Sequence, residues 1–407
     1  MDARFMQDVP SSPIARQQSV RLVVQRLLRD RSVSRAEIAR GTGLSKQTIS
    51  EVMRELEREG WVHEDGQIQG SVGRSAVTYA LRGDAAFVLG IDLGGTKLHV
   101  ALADLHGEIV AESIEPTSND GGHAVVAQIV RMKDALLQQA GVPAQRLRGG
   151  VMGSPGMVDP VSGSIVIAPN IPGLDSLDVR AALREQLGIE VVIENDVNLA
   201  AIGEHWRGSS RKVRSFAFIA VGTCIGMGIF SDGYLVRGAR GAAGEIAYLP
   251  LGGDPYDARG LRLGTLETAV GSAGIVERYV GLGGSLGSTV RDIFERLDTE
   301  EAARITVDEI GRILTSAILA VQSVLDSEII IVGGSIGARP ELKRRIDEYL
   351  GRCMRQPVRI ELSALGSRAT LIGAIGSAID LVHRSLFGIG RDAGPLTLPF
   401  AAEEVAA

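Results

Sequence analysis

Two glycine-bracketed turns carry the residues best suited to chemistry. The first, Asp92-Leu93-Gly94-Gly95-Thr96-Lys97, is entered from the apolar run Phe87 to Ile91. The second, Gly222-Thr223-Cys224-Ile225-Gly226, is entered from Phe216 to Val221. A glycine-rich turn between strands presents unpaired backbone N–H groups, which suit an anion such as phosphate. Beside the first turn, Asp92 could hold Mg²⁺ through water, and Thr96 or Lys97 could touch phosphate. Alone, either turn reads equally as a hairpin. Each, however, is followed by a second strand and a polar turn: Leu98 to Ala103 then Asp104 to Gly107, and Met227 to Phe230 then Ser231-Asp232-Gly233. A unit used twice predicts two α/β lobes of one plan, with a cleft in which both loops face one nucleotide.

A different chemistry lies near the N-terminus. Ile49, Val52, Met53 and Leu56 recur at helical spacing, and the first turn of that helix offers Ser45, Lys46, Gln47, Thr48 and Ser50. A recognition helix enters the major groove N-terminus first, so its polar donors must sit in those turns. Lys46 and Gln47 suit phosphates or base edges, and Thr48 and Ser50 add short hydrogen bonds. The elements that position them are legible. Val20 to Leu28 predicts a first helix. Ser34 with Glu37 three residues on predicts a capping box for a second, broken at Gly41-Thr42-Gly43. Ser45 then caps the third, which runs to Gly60. Trp61 to His63 and Ala76 to Leu81 predict two strands joined by a loop with Gly66, Gly70 and Gly73, from which Arg74 would reach the minor groove. This is the winged helix-turn-helix plan, and it predicts a DNA-binding domain over residues 1–82.

Charge agrees with that division. The 407-residue chain carries a net charge of −6, yet residues 14–54 hold nine basic and three acidic side chains. The basic excess is expected to face phosphates, while the rest of the chain is acidic. With 45% hydrophobic and 23% charged residues, wholesale disorder is excluded. Two cysteines, Cys224 and Cys353, exclude a disulfide framework and a metal site built of cysteine pairs. Cys224 is expected to be a small buried hydrophobe. The charge-free run Ser215 to Ser231 contains three glycines and reads as strand–loop–strand, not a membrane helix. The opening MDARFMQDVP lacks the apolar stretch of a secretory leader, which gives the expectation of a cytoplasmic protein.

Further motifs carry a resemblance. Gly90 to Lys97, Gly153-Ser154-Pro155-Gly156-Met157-Val158-Asp159, Glu194-Asn195-Asp196-Val197-Asn198, Gly241-Ala242-Ala243-Gly244-Glu245-Ile246 and Val332 to Gly337 together resemble the ROK family of repressors and sugar kinases. The similarity is to its regulator branch and covers roughly residues 15–385. It implies an actin/hexokinase-like, two-lobed α/β body behind the winged helix, and a ligand of the sugar class. Carried over by motif, Asn170, Asn195, Asp196, Glu245 and Glu267 would line the sugar pocket. In kinases of the family the residue matching Asp196 is the general base. Paired donors and acceptors of this kind match vicinal hydroxyls.

The departures are informative. Family members commonly hold zinc with one His and three Cys. The matching positions here are Tyr248, Ala258, Gly260 and Thr265, so the structural zinc is expected to be absent. Tyr248 would replace the histidine at the sugar pocket. In the second loop, Cys224 and Met227 stand where the family has glycine, and are expected to weaken ATP binding if bare backbone is needed there. The implied protein is a sugar-responsive DNA-binding regulator without kinase activity, acting as a homodimer or homotetramer on a palindromic operator. The alternative is an ATP-dependent sugar kinase that uses Asp196, with ATP and Mg²⁺. The expected domains are 1–82, lobes 83–198 and 199–385, and a poorly ordered tail 386–407. The short link Leu81 to Ala86 is expected to transmit motion of the body to the module.

Overall fold

A computed structural model describes residues 13–69, 75–159, 162–165, 171 and 173–387. The N-terminal module contains α1 (Pro13–Asp30), β1 (Val33–Ser34), α2 (Arg35–Thr42), α3 (Lys46–Arg58), β2 (Val62–Gln69) and β3 (Ser75–Leu81). The local signals act as expected. Ser34 and Glu37 form a reciprocal capping box, Gly43 ends α2 in the left-handed region, and Ser45 caps α3 through the Thr48 N–H. Val23, Val24, Leu27, Ile38, Ile49, Val52, Met53 and Leu56 make the core. Two features were not foreseen. β1 adds a third strand by pairing with β3, and Gly66 lies within β2 at a register slip rather than in the loop. Gly70, Gly73 and Arg74 lie outside the described residues.

The body repeats one topology. The first lobe has β4 (Phe87–Leu93), β5 (Lys97–Asp104), β6 (Ile109–Pro116), α4 (Gly122–Ala140), β7 (Leu147–Ser154), α5 (Val179–Leu187) and β8 (Glu190–Asn195). Its sheet order is β6-β5-β4-β7-β8. Then α6 (Asp196–Arg207) leads to β9 (Phe216–Val221), β10 (Ile225–Ser231) and β11 (Tyr234–Leu235). Four outer helices follow, α7 (Ala258–Leu263), α8 (Thr265–Val270), α9 (Ser272–Gly281) and α10 (Val290–Glu295), and then α11 (Glu301–Leu325). β12 (Ile329–Gly333), α12 (Gly334–Gly337), α13 (Pro340–Cys353), β13 (Arg359–Leu362) and α14 (Ala369–Phe387) complete the chain. The second sheet runs β11-β10-β9-β12-β13, the same order as the first, with antiparallel hairpins on one side and parallel strands on the other. The charge-free stretch is strand–loop–strand, as expected, and among the described residues no helix is long and apolar enough to cross a membrane.

Between the two sheets lie α6 and α14. Their shared core takes Val88, Ala101 and Val151 from the first sheet and Phe216, Phe218, Phe230 and Ile331 from the second. The helices approach closely because they cross at glycines: a Cβ on Gly373 would run into Leu199 O, and one on Gly203 into Ala369 O. Such contact lets the sheets pack on a thin helical layer. The sequence division at 198/199 therefore does not keep each lobe's chain apart, since α14 returns to pack on β4 and β7 of the first sheet. Nor does the expected tail begin at 386. The helix continues to Phe387, which is buried in the core of the N-terminal module.

Candidate ligand cleft and nucleic-acid interface

Parallel pairing brings the chemistry-bearing strand ends to one edge of the first sheet. Asp92 on β4 is in register with Gly153 on β7, which pairs with Glu194 on β8. The missing side chain at Gly153 leaves its Cα flank against Asp196, Leu199 and Thr370. Asp196 is the first residue of α6, and its Oδ1 accepts from the Val197 N–H at 2.9 Å. Asp92 is close enough to destabilise its charge. Burial first, then the negative charges of Asp92 and Glu245, push the Asp196 carboxyl up to about 7. Burial pushes Asp92 up to about 6, opposed by the Lys97 ammonium.

The second lobe completes the acidic line. Burial raises the Glu245 carboxyl. It also raises Glu267, opposed by hydrogen bonds from the Ile225 N–H and the Cys224 thiol and reinforced by Glu245. Asp92, Asp196, Glu245 and Glu267 thus form a chain of mutually sensed carboxyls across the cleft. A carboxyl pushed up to about 7, as Asp196 is, can both donate to and accept from hydroxyl groups.

Asn195 also shapes the local structure. Its Oδ1 caps α6 by accepting from the Val197 and Asn198 N–H groups at 3.0 Å each, and its Nδ2 donates to Gly156 O at 3.0 Å. It thereby ties the Pro155-Gly156 segment to the helix that presents Asp196. Tyr248 is 53% exposed at the end of a short helical turn after Glu245. Asn170 lies outside the described residues.

The loops differ from expectation in an instructive way. In the first, the Gly94 N–H donates to Lys97 O at 2.9 Å and Thr117 Oγ1 donates to Gly94 O at 2.7 Å, leaving Gly95 and Thr96 at the rim. In the second, Gly222 N–H donates to Cys224 O, and Gly222 O accepts from the Ser272 N–H at the start of α9. Thr223 and Cys224 are exposed, so Cys224 is not a buried hydrophobe. The loop's fold turns it outward, where its thiol meets Glu267. Met227 is buried in the core and its N–H is taken by Gly244 O at 3.0 Å. Neither residue has positive φ, so neither position requires glycine for its backbone path.

The positions aligned with the family's zinc ligands fall in and beside α7 and α8. Thr265 is buried at the start of α8, and Gly260 packs against Asp254 O. The preceding segment is held by Asp254 Oδ1 accepting from the Tyr256 N–H and by Asp257 capping α7. Among the described residues, no three His, Cys, Asp or Glu side chains form a metal-binding group.

Two cleft residues had no sequence signal. Arg237 reaches from the second lobe to Glu194 at the end of β8, Nε to Oε2 at 2.6 Å. Glu194 also accepts from Asn198 Nδ2 and from the Asn195 N–H, both at 3.0 Å. Thr370, on α14, donates to Asp196 O at 3.2 Å.

On the module, α3 presents Lys46 and Gln47 to solvent. Ser45 Oγ takes the Thr48 N–H, Ser50 Oγ donates to Lys46 O, and Gln47 Nε2 reaches Glu51 at 3.3 Å. Ser45, Thr48 and Ser50 therefore shape the helix start, while Lys46 and Gln47 extend outward. Arg54, seven residues after Gln47 and exposed, joins that face; its spacing was the available signal. The basic excess is partly neutralised within the module. Arg16 pairs with Glu55, Arg26 with Asp30 and Arg35 with Glu57. Facing phosphate is thus the task of fewer residues than the charge count suggested.

Known proteins bear on this arrangement. The model described as ROK family matches residues 88–381, and one described as winged helix-turn-helix DNA-binding matches residues 18–63. The chain is 25% identical over 380 residues to a protein named xylose repressor from Caldicellulosiruptor bescii, covering 88% of this chain and 94% of that one. It is 29% identical over 310 residues to a glucokinase from Halalkalibacterium halodurans, covering 70% and 92%. Among solved structures it resembles a ROK family transcriptional regulator described as a homologue of an E. coli Mlc protein, with TM-score 0.74, 23% identity and coverage of 91% and 96%. A ROK hexokinase from Thermus thermophilus aligns with TM-score 0.61 at 28% identity, covering 72% and 97%. With its family domain matched over well more than half of its length, the chain belongs to the ROK family and carries a winged helix-turn-helix module ahead of that domain.

Proposed function

We propose that this protein is a sugar-responsive transcriptional repressor. The observation that carries the reading is the span of α14. Near its first turn, Thr370 holds the backbone of Asp196 in the cleft, and its last residue, Phe387, is buried in the winged-helix core. At 1.5 Å per residue, a helix of 19 residues reaches about 28 Å. A change at the cleft can therefore be felt as a displacement of a rigid rod in the module. The link acts beside it: Arg82 N–H donates to Trp61 O and Leu105 N–H to Gly83 O, so the joint is hydrogen-bonded rather than loose.

The effector is a small neutral monosaccharide, with xylose and glucose the first to test. It sits among Asp196, Glu245 and Glu267, with Asn170, Asn195 and Tyr248 as further contacts. Binding lowers operator affinity. The protein acts in the cytoplasm as a homodimer or homotetramer on a palindromic site, with residues 1–82 binding DNA and the two lobes binding sugar. Operator affinity is measured by fluorescence anisotropy on the DNA upstream of its own gene, with and without each sugar. Unchanged affinity with a sugar bound would overturn the reading.

The second reading is a sugar kinase, favoured by the intact Asp92 and Asp196 pair. Asp196 would accept the proton of the attacking hydroxyl, and Asp92 would hold Mg²⁺ through water, the metal supplying charge neutralisation at phosphate. Coupled ADP release across a sugar panel tests it. We expect no turnover; turnover abolished by Asp196→Asn would establish the kinase instead.

A further inference from the structure

Where the module meets the body, the surfaces do not close. They leave a cavity of about 450 Å³ between α1, β2 and β3 on one side and the β5–β6 turn and α14 on the other. That volume falls within the range of small-molecule sites. The walls are mainly apolar: Leu28, Trp61, Leu81, Leu105 and Phe387 line it. Aromatic rings gather at one end. Phe387 meets Trp61 edge-on at 5.6 Å and the His383 ring at 6.0 Å.

One polar group there is unanswered. His383 is 2% exposed, and its Nδ1 has no hydrogen-bond partner among the described residues. A buried polar atom without a partner is costly in a finished core but serves in a ligand site. Burial also holds the imidazole down to about 4, so at neutral pH it is an uncharged donor and acceptor. Charged lining residues have partners, two of them outside the lining. Arg82 pairs with Asp84 at 2.7 Å, Glu108 with Arg207 at 3.3 Å, and His63 faces Asp65 at 3.8 Å. Arg31 likewise has an interaction partner. Besides these charged groups and the His106 imidazole, whose Nε2 lies 3.1 Å from Leu81 O, the space offers flat apolar walls and the neutral His383 imidazole.

The geometry points to a second ligand site at this joint, separate from the lobe cleft, which takes a flat, uncharged aromatic molecule of two or three rings bearing one hydroxyl or carbonyl that meets His383. Such a molecule touches module and body together. It stabilises the docked arrangement to the extent that it binds that arrangement better than a displaced one. The site would give the protein a second input that acts on the module without passing through the cleft.

The test uses the full chain and isothermal titration with 1-naphthol, naphthalene and 2-naphthoate. Expected is saturable binding of 1-naphthol at one site per chain, with 2-naphthoate at least tenfold weaker because its charge meets no free cation. Ala80→Phe, which projects a ring into the cavity, should weaken 1-naphthol at least tenfold. His383→Phe should weaken 1-naphthol but not naphthalene, and His383→Gln should restore it. Circular dichroism melts establish that each variant is folded; should Ala80→Phe not fold, Leu105→Phe fills the space from the body side. No saturable binding of 1-naphthol, equal binding to the folded filled variants, or tighter binding of 2-naphthoate would each overturn the proposal. So would binding that arises only after deletion of residues 388–407, which would assign the cavity to the chain's own C-terminal segment.

Discussion

Phe387 stands edge-on to Trp61, their ring centroids 5.6 Å apart and their planes at 79°. The contact joins the last residue of the body's final helix to the first residue after the recognition helix and its turn. Burying an aromatic ring is worth several kcal/mol, and truncation of a buried Phe costs roughly 3 kcal/mol. We expect Phe387→Ala to leave sugar affinity within twofold of the parent while operator affinity stops responding to sugar. Paired titrations of sugar and operator check this. A full sugar response in the variant would assign the coupling to the Leu81 to Ala86 link alone.

The exposed face of α3 makes a second prediction. Lys46 and Arg54 are placed to neutralise phosphates, whereas Gln47 can read a base edge. Lys46→Ala and Arg54→Ala should each reduce the slope of log affinity against log salt by about 1. Gln47→Ala should cost roughly 1–3 kcal/mol on the operator and relax preference at one base pair. Anisotropy titrations from low to high salt distinguish the two behaviours. Equal loss on random DNA for Gln47→Ala would make it a backbone contact.

The cleft carboxyls should leave a signature in the pH dependence of stability. Asp196 titrates near 7 and Asp92 near 6, both above the ordinary value of about 4. The folded chain then binds protons that the unfolded chain has already released, so stability falls as pH rises through the window from about 4 to 7. Thermal melts at pH 5.5 and pH 8 should show a larger drop for the parent than for Asp196→Asn. The same drop in both would remove Asp196 from the proton-holding row.

Arg237 and Glu194 give a fourth prediction. Their ion pair spans from the second lobe to the strand that leads into Asp196. Loss of a charge-assisted hydrogen bond costs roughly 1–3 kcal/mol. Arg237→Ala should therefore weaken monosaccharide binding about tenfold or more in calorimetry, without moving operator affinity in the absence of sugar. Arg237→Lys keeps the charge but loses the Nε contact, and should fall between. Unchanged sugar affinity in Arg237→Ala would limit the pair to packing.

Much of the molecule was legible because its determinants are local. Ser34, Glu37, Gly43 and Ser45 act within a few residues of themselves, so the caps of α2 and α3 could be placed before any packing was known. The repeated strand–glycine loop–strand unit fixed two lobes, and the structure gives both the same strand order. The structure brings the motif carboxyls near one another: Asp196 senses Asp92 and Glu245, and Glu267 senses Glu245.

What needed the tertiary structure depends on how side chains are turned, often by partners far away in the chain. Cys224 turns outward toward Glu267, while Met227 packs into the second lobe's core with its N–H bonded to Gly244 O. Asn195 ties its helix cap to Gly156, and Arg16 and Arg35 find carboxylates elsewhere in the module. No local signal says which core each turn of α14 enters. Only the fold decides that its first turn holds Asp196 while its last residue completes the winged helix. Local sequence specifies caps, turns and strand faces, because those obey short-range sterics and hydrogen bonding. It cannot specify a contact between residues 61 and 387, which exists only once both sheets have closed on the helices between them.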